Sequence, residues 1–372
     1  MKKPNRISRE RGNEETKEGA LTRLLEIQYK SGSFHTACRL SCDDANKSVS
    51  FSVILQAILP VYLLVGVGLF LRATKVVTPE MEKGMLKMVI HCLYPCLILD
   101  KTLGNDLVRQ FDVLAWGVGL GFGLVILGMA VAYLMGLGLG LKPGNGRRTF
   151  CVAVGTQNYG YIAIPLLGAL FVSMNGNEQV YGVLFIHSLG VEIALWMVGV
   201  MIMTGSVFGN PKLLINGPTV SVVLGVALSS TGGWQFLEES GGGIVGAGVR
   251  QMISWLGVCA FPIGLVLIGA MMYDLIGKER ISKKVATGSL LVRIVIMPVV
   301  FLAAAKWLPV IPELKQVLLV QASMPAAVAP IIVARHYGGS PGVAVQGVIA
   351  TSIVALVTMP LWISWGIRFI FE

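Results

Sequence analysis

The chain has 372 residues, of which 54% are hydrophobic and 13% charged, and its formal net charge is +10. Residues 1–50 hold 17 of the 50 charged side chains, so only about 10% of the other 322 residues are charged, whereas soluble domains carry about 25%. This composition excludes a chain of soluble domains, a disordered chain and a nucleic-acid-binding protein, and it predicts a polytopic membrane protein.

The N-terminal residues 1–50 are polar, of mixed charge, and lack the apolar core of a signal peptide. We expect them to form a mostly disordered tail that precedes the first membrane segment. His35, Cys38 and Cys42 have a loosely metal-like spacing, but no second pair of ligands follows them. The sequence therefore predicts neither a metal site nor a cofactor.

Ten later stretches approach or exceed the roughly 20 apolar residues that a membrane-spanning helix requires. They are residues 51–71, 84–104, 113–141, 148–172, 180–204, 213–230, 250–274, 285–308, 314–335 and 342–370. The predicted fold is an all-α membrane protein with ten transmembrane helices. Glycines such as those of GLGFG at 119–123 are expected to let neighbouring helices pack closely.

The orientation follows from the basic residues in or beside the short loops. The loops that follow odd-numbered spans hold 13 Lys or Arg residues, and the opposite loops hold five. Since cytoplasmic loops carry the excess of basic residues, both termini are expected on the non-cytoplasmic side of a plasma or inner membrane.

The ten spans divide into a first repeat at 51–204, a short cytoplasmic linker at 205–212 and a second repeat at 213–372. The fourth span of each half carries a disruptive cluster, GTQNYGYIAIPLL at 155–167 and QASMPAAVAPII at 321–332. An odd number of spans per half gives the halves opposite orientations. An inverted repeat with interrupted helices at matching positions is typical of secondary transporters.

The residues of spans 4 and 9 explain why both should be interrupted. Pro165 follows Gly160 in span 4, and Pro325 and Pro330 lie five residues apart in span 9. Proline removes a backbone hydrogen bond and clashes with the preceding turn. We expect the two helices to break near the middle of the membrane and to cross there. Their free backbone groups and a half-helix N-terminus would then favour a bound anion.

Polar side chains beside these breaks are the candidate binding residues. Asn158 lies seven residues before Pro165, and Gly160 lies between them. Gln321 and Ser323 lie just before the span-9 break, where their amide and hydroxyl groups could complete a substrate site.

Several segments resemble the auxin efflux carrier (PIN-like) family, in its bacterial branch. LVQASMPAAVAPIIVARHYGGSPGVAVQGVIATSIVALVTMPLWI at 319–363 is similar to spans 9 and 10 of that family. GTQNYGYIAIPLL resembles its span-4 pattern N-x6-P-L-L, and LVRIVIMP at 291–298 resembles its span-8 pattern V-R-x4-P. The resemblance is distributed over residues 51–372 and does not cover the tail.

The resemblance implies a 5+5 inverted repeat in which helices 4 and 9 cross and a transport domain moves as an elevator against a scaffold. It implies a carrier for weak-acid anions that forms homodimers through the scaffold. Carried over by position, Asn158 would bind the substrate carboxylate, and Pro165 and Pro330 would be the crossover prolines. Ala326 and Ala327 replace the Gln-Gly of the plant carriers, so a small organic acid is expected as substrate in place of auxin.

Two ionisable residues in the membrane segments have open roles, because charges are costly there. Glu192 in span 5 could couple transport to protons, or it could pair with Arg293 of span 8 and hold helices together. Arg293 could neutralise substrate charge at a distance, or its side chain could extend to the cytoplasmic interface.

Two other functions remain as alternatives. A sodium-coupled organic-anion symporter of the bile-acid type shares the crossed-helix plan, but it would need more polar groups beside the crossover than this sequence offers. A membrane sensor without transport activity would carry an additional signalling domain. An enzyme is not expected, because the four histidines are scattered without catalytic partners and no Walker motif occurs.

Overall fold

The computed structural model describes residues 51–144, 146–172, 177–205, 215, 217–237, 239–275 and 282–371. In these ranges the only regular secondary structure is helical, and isolated backbone bridges join Lys142 to Gly146 and Gln157 to Ala326. The predicted tail at 1–50 lies outside the described residues, as does the predicted linker at 205–212 apart from Gly205.

Helix lies within each of the ten predicted segments, because each is a run of apolar residues bounded by polar residues, glycine or proline. The α-helices in chain order are α1 (Phe51–Ala73), α2 (Pro79–Met88), α3 (Tyr94–Thr102), α4 (Phe111–Gly138), α5 (Arg147–Gly155), α6 (Ala163–Leu167), α7 (Gln179–Ile193), α8 (Val200–Thr204), α9 (Gly217–Thr231), α10 (Glu239–Leu275), α11 (Lys283–Leu290), α12 (Met297–Trp307), α13 (Pro312–Ser323), α14 (Ala329–His336) and α15 (Pro341–Phe371).

Four π-helical turns continue or connect these helices. They are Val89–Leu93 between α2 and α3, Gly168–Val172 after α6, Ala194–Gly199 between α7 and α8, and Leu291–Ile296 between α11 and α12. Such turns are rare and are frequently found at functional sites. Here one begins two residues after Glu192 and another contains Arg293.

Among the described residues, five helical stretches are long and apolar enough to cross a membrane, judged by length and composition. They are Phe111–Gly138, Gln179–Thr204, Gly242–Asp274, Lys283–Trp307 and Pro341–Phe371. The fourth and ninth predicted segments fall short because each is divided into two half-helices. That all ten segments cross the membrane stays a prediction.

Glycines allow two pairs of long helices to pack backbone against backbone. A Cβ atom added at Gly121 of α4 would lie 2.0 Å from the carbonyl oxygen of His187 in α7, and one at Gly190 of α7 would lie 2.1 Å from that of Val118. The close packing expected for the GLGFG segment is therefore confirmed at Gly121. Helices α1 and α10 approach one another in the same way at Gly68 and Gly269.

A buried ion cluster fixes one end of α1. Arg72 is 5% exposed and donates to the carbonyl of Val77 at 2.7 Å. Its guanidinium also contacts the carboxylates of Glu82 in α2 and Asp274 in α10. One arginine thus joins three helices and the turn between the first two.

Candidate functional site

The two interrupted segments meet at their breaks. Helix α5 ends at Gly155 and α6 begins at Ala163, while α13 ends at Ser323 and α14 begins at Ala329. Between them, Gln157 of the first break and Ala326 of the second form an antiparallel bridge. The backbone amide of Asn158 donates to the carbonyl of Pro325 at 2.8 Å, and the backbone amide of Ala327 donates to the carbonyl of Thr156 at 2.9 Å. Backbone groups freed by one break therefore find partners in the other.

The three predicted prolines lie in the breaks or in the first turn of the helices that follow them. Pro165 is the third residue of α6 and Pro330 the second residue of α14. Proline is tolerated in the first turn of a helix, because the amide that it lacks has no partner there. Pro325 lies inside the break, and its carbonyl receives the amide of Asn158. Pro165 and Pro330 therefore lie in the first turn of the second half-helices, whereas Pro325 belongs to the break itself.

Arg293 stabilises the end of α13. Its side chain is fully buried, and Nε donates to the carbonyl of Met324 at 3.0 Å and Nη2 to that of Gln321 at 3.2 Å. A cation is favourable at a helix C-terminus, where the carbonyl dipoles concentrate negative charge. The ion pair with Glu192, one of the two alternatives for these residues, is not formed, because the guanidinium donates to these carbonyls. The alternative in which the Arg293 side chain extends to the interface is also excluded, because the group is enclosed.

Gln321 and Ser323 support the breaks and do not line the cavity beside them. The amide of Gln321 donates to the carbonyl of Tyr159 at 3.2 Å and so ties α13 to the other break. The hydroxyl of Ser323 donates to the carbonyl of Val320 in its own helix. Both side chains are buried behind the cavity wall, which corrects their predicted direct role in binding.

A cavity of about 400 Å³ opens beside the paired breaks. Most of the cavity wall is apolar and is formed by residues of α2, α3, α6, α7, α9 and α10. The polar or aromatic side chains in its wall are Tyr94, Asn158, Tyr159, Tyr161, Phe185, Ser188, Glu192, Trp196 and Thr219. The break residues Gly160, Ala327, Val328 and Ala329 also line it. A small molecule with an apolar body and few polar groups fits such a wall.

Two groups of hydrogen-bond donors face this cavity. The side-chain amide of Asn158 lines it and forms no hydrogen bond with any described residue. The first turn of α14 also borders it at Val328 and Ala329, and no side chain caps that helix. The amides of Val328 and Ala329 are the free donors there, because Pro330 has none and Ile331 donates to the carbonyl of Val328 at 3.0 Å. They lie at the positive end of the helix dipole. These donors can receive one anionic group.

Gly160 leaves room beside Asn158. A Cβ atom added there would meet only the hydroxyl of Tyr94, at an ordinary contact distance of 3.5 Å. Tyr94 in turn packs edge-on against the ring of Tyr161, with ring centroids 5.3 Å apart. Of the four predicted substrate-binding residues, Asn158 and Gly160 are therefore the two that line the cavity.

Glu192 is the charged residue among the described residues that line the cavity. Its carboxylate accepts hydrogen bonds from the hydroxyl of Tyr159 and from Nε1 of Trp196. Tyr159 directly follows Asn158 in the chain, so the carboxylate is linked to the break through one side chain. This arrangement separates Glu192 and Arg293, which the sequence had suggested as a pair.

Sequence reasoning missed Tyr159, Trp196 and Thr351. The hydroxyl of Thr351 in α15 accepts the amide of Ala326 at 3.1 Å and so completes the second break. Trp196 lies four residues after Glu192, a helical spacing that could have indicated their contact. Tyr159 stands between Asn158 and Gly160, but no local signal links it to span 5.

The donors and the apolar wall suit the binding of a small molecule. Within the described ranges no group of three or more His, Cys, Asp or Glu residues could hold a metal ion.

Comparison with known proteins bears on this site. A family model described as Membrane transport protein, of the auxin efflux carrier type, matches residues 53–210 and 206–363. The two matches together extend over most of the chain and include both breaks. No curated protein matches the chain.

Proposed function

Because the chain belongs to the Membrane transport protein family, whose members reside in membranes as transporters, we propose that it is a secondary carrier for a small organic-acid anion. The apolar helices and the family together make it a multi-pass membrane protein. The substrate class and the mechanism are the parts that we propose.

The pairing of the two breaks beside one cavity carries this proposal. The side-chain amide of Asn158, which has no partner among the described residues, thereby lies on the same surface as the N-terminus of α14, although the two segments are more than 150 residues apart. A carboxylate placed there would accept hydrogen bonds from both groups, and the apolar wall would receive the remainder of the molecule. The limited volume favours a small acid.

We propose that the ten helical segments form a 5+5 inverted repeat in which the divided fourth and ninth segments cross. The breaks at corresponding places in the two halves support this reading, as do their antiparallel pairing and the family. The carrier would alternate access by an elevator motion in which the paired breaks travel as one body. Arg293, Gln321 and Thr351 would keep the breaks together during that motion.

A transport assay in proteoliposomes tests the proposed function. The purified protein is supplied with radiolabelled pyruvate, benzoate, malonate or malate, with and without gradients of Na⁺ and of pH. We expect saturable uptake of at least one acid without a requirement for Na⁺. A strict requirement for Na⁺ would favour the bile-acid-type symporter, and no uptake or binding of any acid by the folded protein would contradict the proposal.

A further inference from the structure

Glu192 places a carboxylate in the same cavity that we assign to an anion, and this inference rests on the proposed function. The carboxylate lines the cavity together with Asn158 and the N-terminus of α14. In an apolar cavity of about 400 Å³, a substrate carboxylate and an ionised Glu192 would be close and poorly screened. Two negative charges in such a space repel strongly unless a cation or a proton compensates one of them.

No basic side chain in the described part of the cavity wall supplies that compensation. Arg293 is the buried arginine of the break region, and it donates to the carbonyls of Gln321 and Met324. His187 is on the same helix as Glu192, but it is fully buried and outside the cavity wall.

The other titratable groups in the wall are tyrosines. Tyr94 comes from α3, and Tyr159 and Tyr161 come from the first break. The described residues of α2, α6, α7, α9, α10 and the second break bring no titratable side chain to the cavity other than Glu192 itself. Glu192 is therefore the group that can change its charge when an anion arrives.

The hydrogen bonds of Glu192 suit two protonation states. The Tyr159 hydroxyl and the Trp196 indole both donate to the carboxylate, and these hydrogen bonds favour its ionised form. After protonation the carboxyl group has one donor of its own. That donor can be offered to a substrate carboxylate, while Tyr159 relays the change to the break next to Asn158.

We propose that Glu192 is the proton-binding residue of this carrier, so that one proton and the organic anion bind together and are transported as symported partners. The linkage has a definite sign. Anion affinity is highest where Glu192 is protonated, and it falls as rising pH ionises that carboxyl in the unliganded protein. A glutamine at this position imitates the protonated state and removes the pH dependence.

Binding measurements across a range of about pH 5 to 8 test the linkage. The probe is benzoate or malonate, whichever the wild-type protein takes up, and its affinity is measured by calorimetry on the purified protein. Once the carboxyl is ionised, we expect the affinity of the wild-type protein to fall by about tenfold per pH unit beyond any change caused by ionisation of the probe. The Glu192→Gln variant should keep a high affinity that varies only with the probe.

Two further variants control for folding and for general charge effects. Glu192→Asp keeps a carboxyl and is expected to retain a pH-dependent affinity. Glu178→Gln removes a largely exposed carboxylate that pairs with Lys101, and it should bind the probe with the wild-type pH profile. In proteoliposomes a pH gradient should drive accumulation by the wild-type protein, whereas Glu192→Gln should only exchange substrate.

Each outcome bears on one of the two proposals. Affinity that is independent of pH in the wild-type protein, or an unchanged pH slope in Glu192→Gln, would overturn the assignment of Glu192 and leave the anion carrier standing. Failure of every acid to bind at any pH would overturn the carrier proposal itself. So would binding of an organic amine that Glu192→Gln abolishes, because Glu192 would then be a counter-ion for a cationic substrate.

Discussion

Replacing Asn158 by alanine is expected to weaken carboxylate binding by roughly 10- to 150-fold, because hydrogen bonds to a charged group contribute about 1.5–3 kcal/mol. The fold should survive, since the side-chain amide has no partner among the described residues and alanine keeps the backbone donor that pairs with Pro325. Asn158→Asp should bind more weakly still, because it places a second carboxylate beside the substrate. Calorimetric titration with the acid that proteoliposomes take up measures both effects.

Ser188→Ala is the matched control for this experiment. Ser188 also lines the cavity, but its hydroxyl donates to the carbonyl of Leu184 in its own helix at 2.8 Å. Its loss should change the affinity by less than about threefold, which corresponds to a fraction of 1 kcal/mol. Equal affinities for the wild-type protein and Asn158→Ala would remove Asn158 from the site.

Replacing Arg293 by methionine is expected to lower the free energy of unfolding by roughly 1–3 kcal/mol for each carbonyl that loses its partner. The affected groups are the carbonyls of Met324 and Gln321 at the end of α13. Because the same end leads into the second break, carboxylate affinity should also decrease. Thermal unfolding in detergent, followed by tryptophan fluorescence, measures the stability change.

Two further variants test whether the loss of stability depends on the two hydrogen bonds that Arg293 donates at the end of α13. Arg293→Lys keeps the charge but has a single ammonium in place of the two donors that reach separate carbonyls, so it should be intermediate. Arg109→Met removes a half-exposed arginine that pairs with Asp106, and its effect should stay below about 1 kcal/mol. Wild-type stability in Arg293→Met would mean that other groups hold the break.

The helix breaks were predictable because their cause is local. Pro165, Pro325 and Pro330 mark the two interruptions, and the breaks lie at the expected places, although Pro60 and Pro360 lie inside continuous helices. The candidate residues Asn158 and Gly160 belong to the break itself. Their place in the break could therefore be predicted without any assumption about the packing of distant helices.

The partners of the buried charges were not predictable in this way. Opposite charge suggested that Glu192 and Arg293 form a pair, since charged groups in membranes commonly do so. In the structure, backbone carbonyls satisfy Arg293, and Tyr159 and Trp196 satisfy Glu192. A helix end and neutral donors can replace an opposite charge, and which of them comes near depends on the packing of segments far apart in sequence.

The face of the helix on which a residue lies could not be predicted from the sequence either. Gln321 and Ser323 precede the second break as predicted, but the rotation of α13 turns them into the protein. A rotation of one residue, about 100°, decides between a cavity and a core position on a helix. The polar residues of α13 are spread around the helix, so they give no single polar face from which that rotation could be read.

Site-directed thiol labelling at position 160 tests most directly that the paired breaks form a substrate site with alternating access. Gly160→Cys is introduced into a chain whose six native cysteines have been replaced, and a charged, membrane-impermeant thiol reagent is applied to vesicles of either orientation. The added side chain has space beside Tyr94. We predict labelling from both sides and protection by the transported acid. Labelling that the acid does not change, or that occurs from one side only with and without acid, would contradict the account.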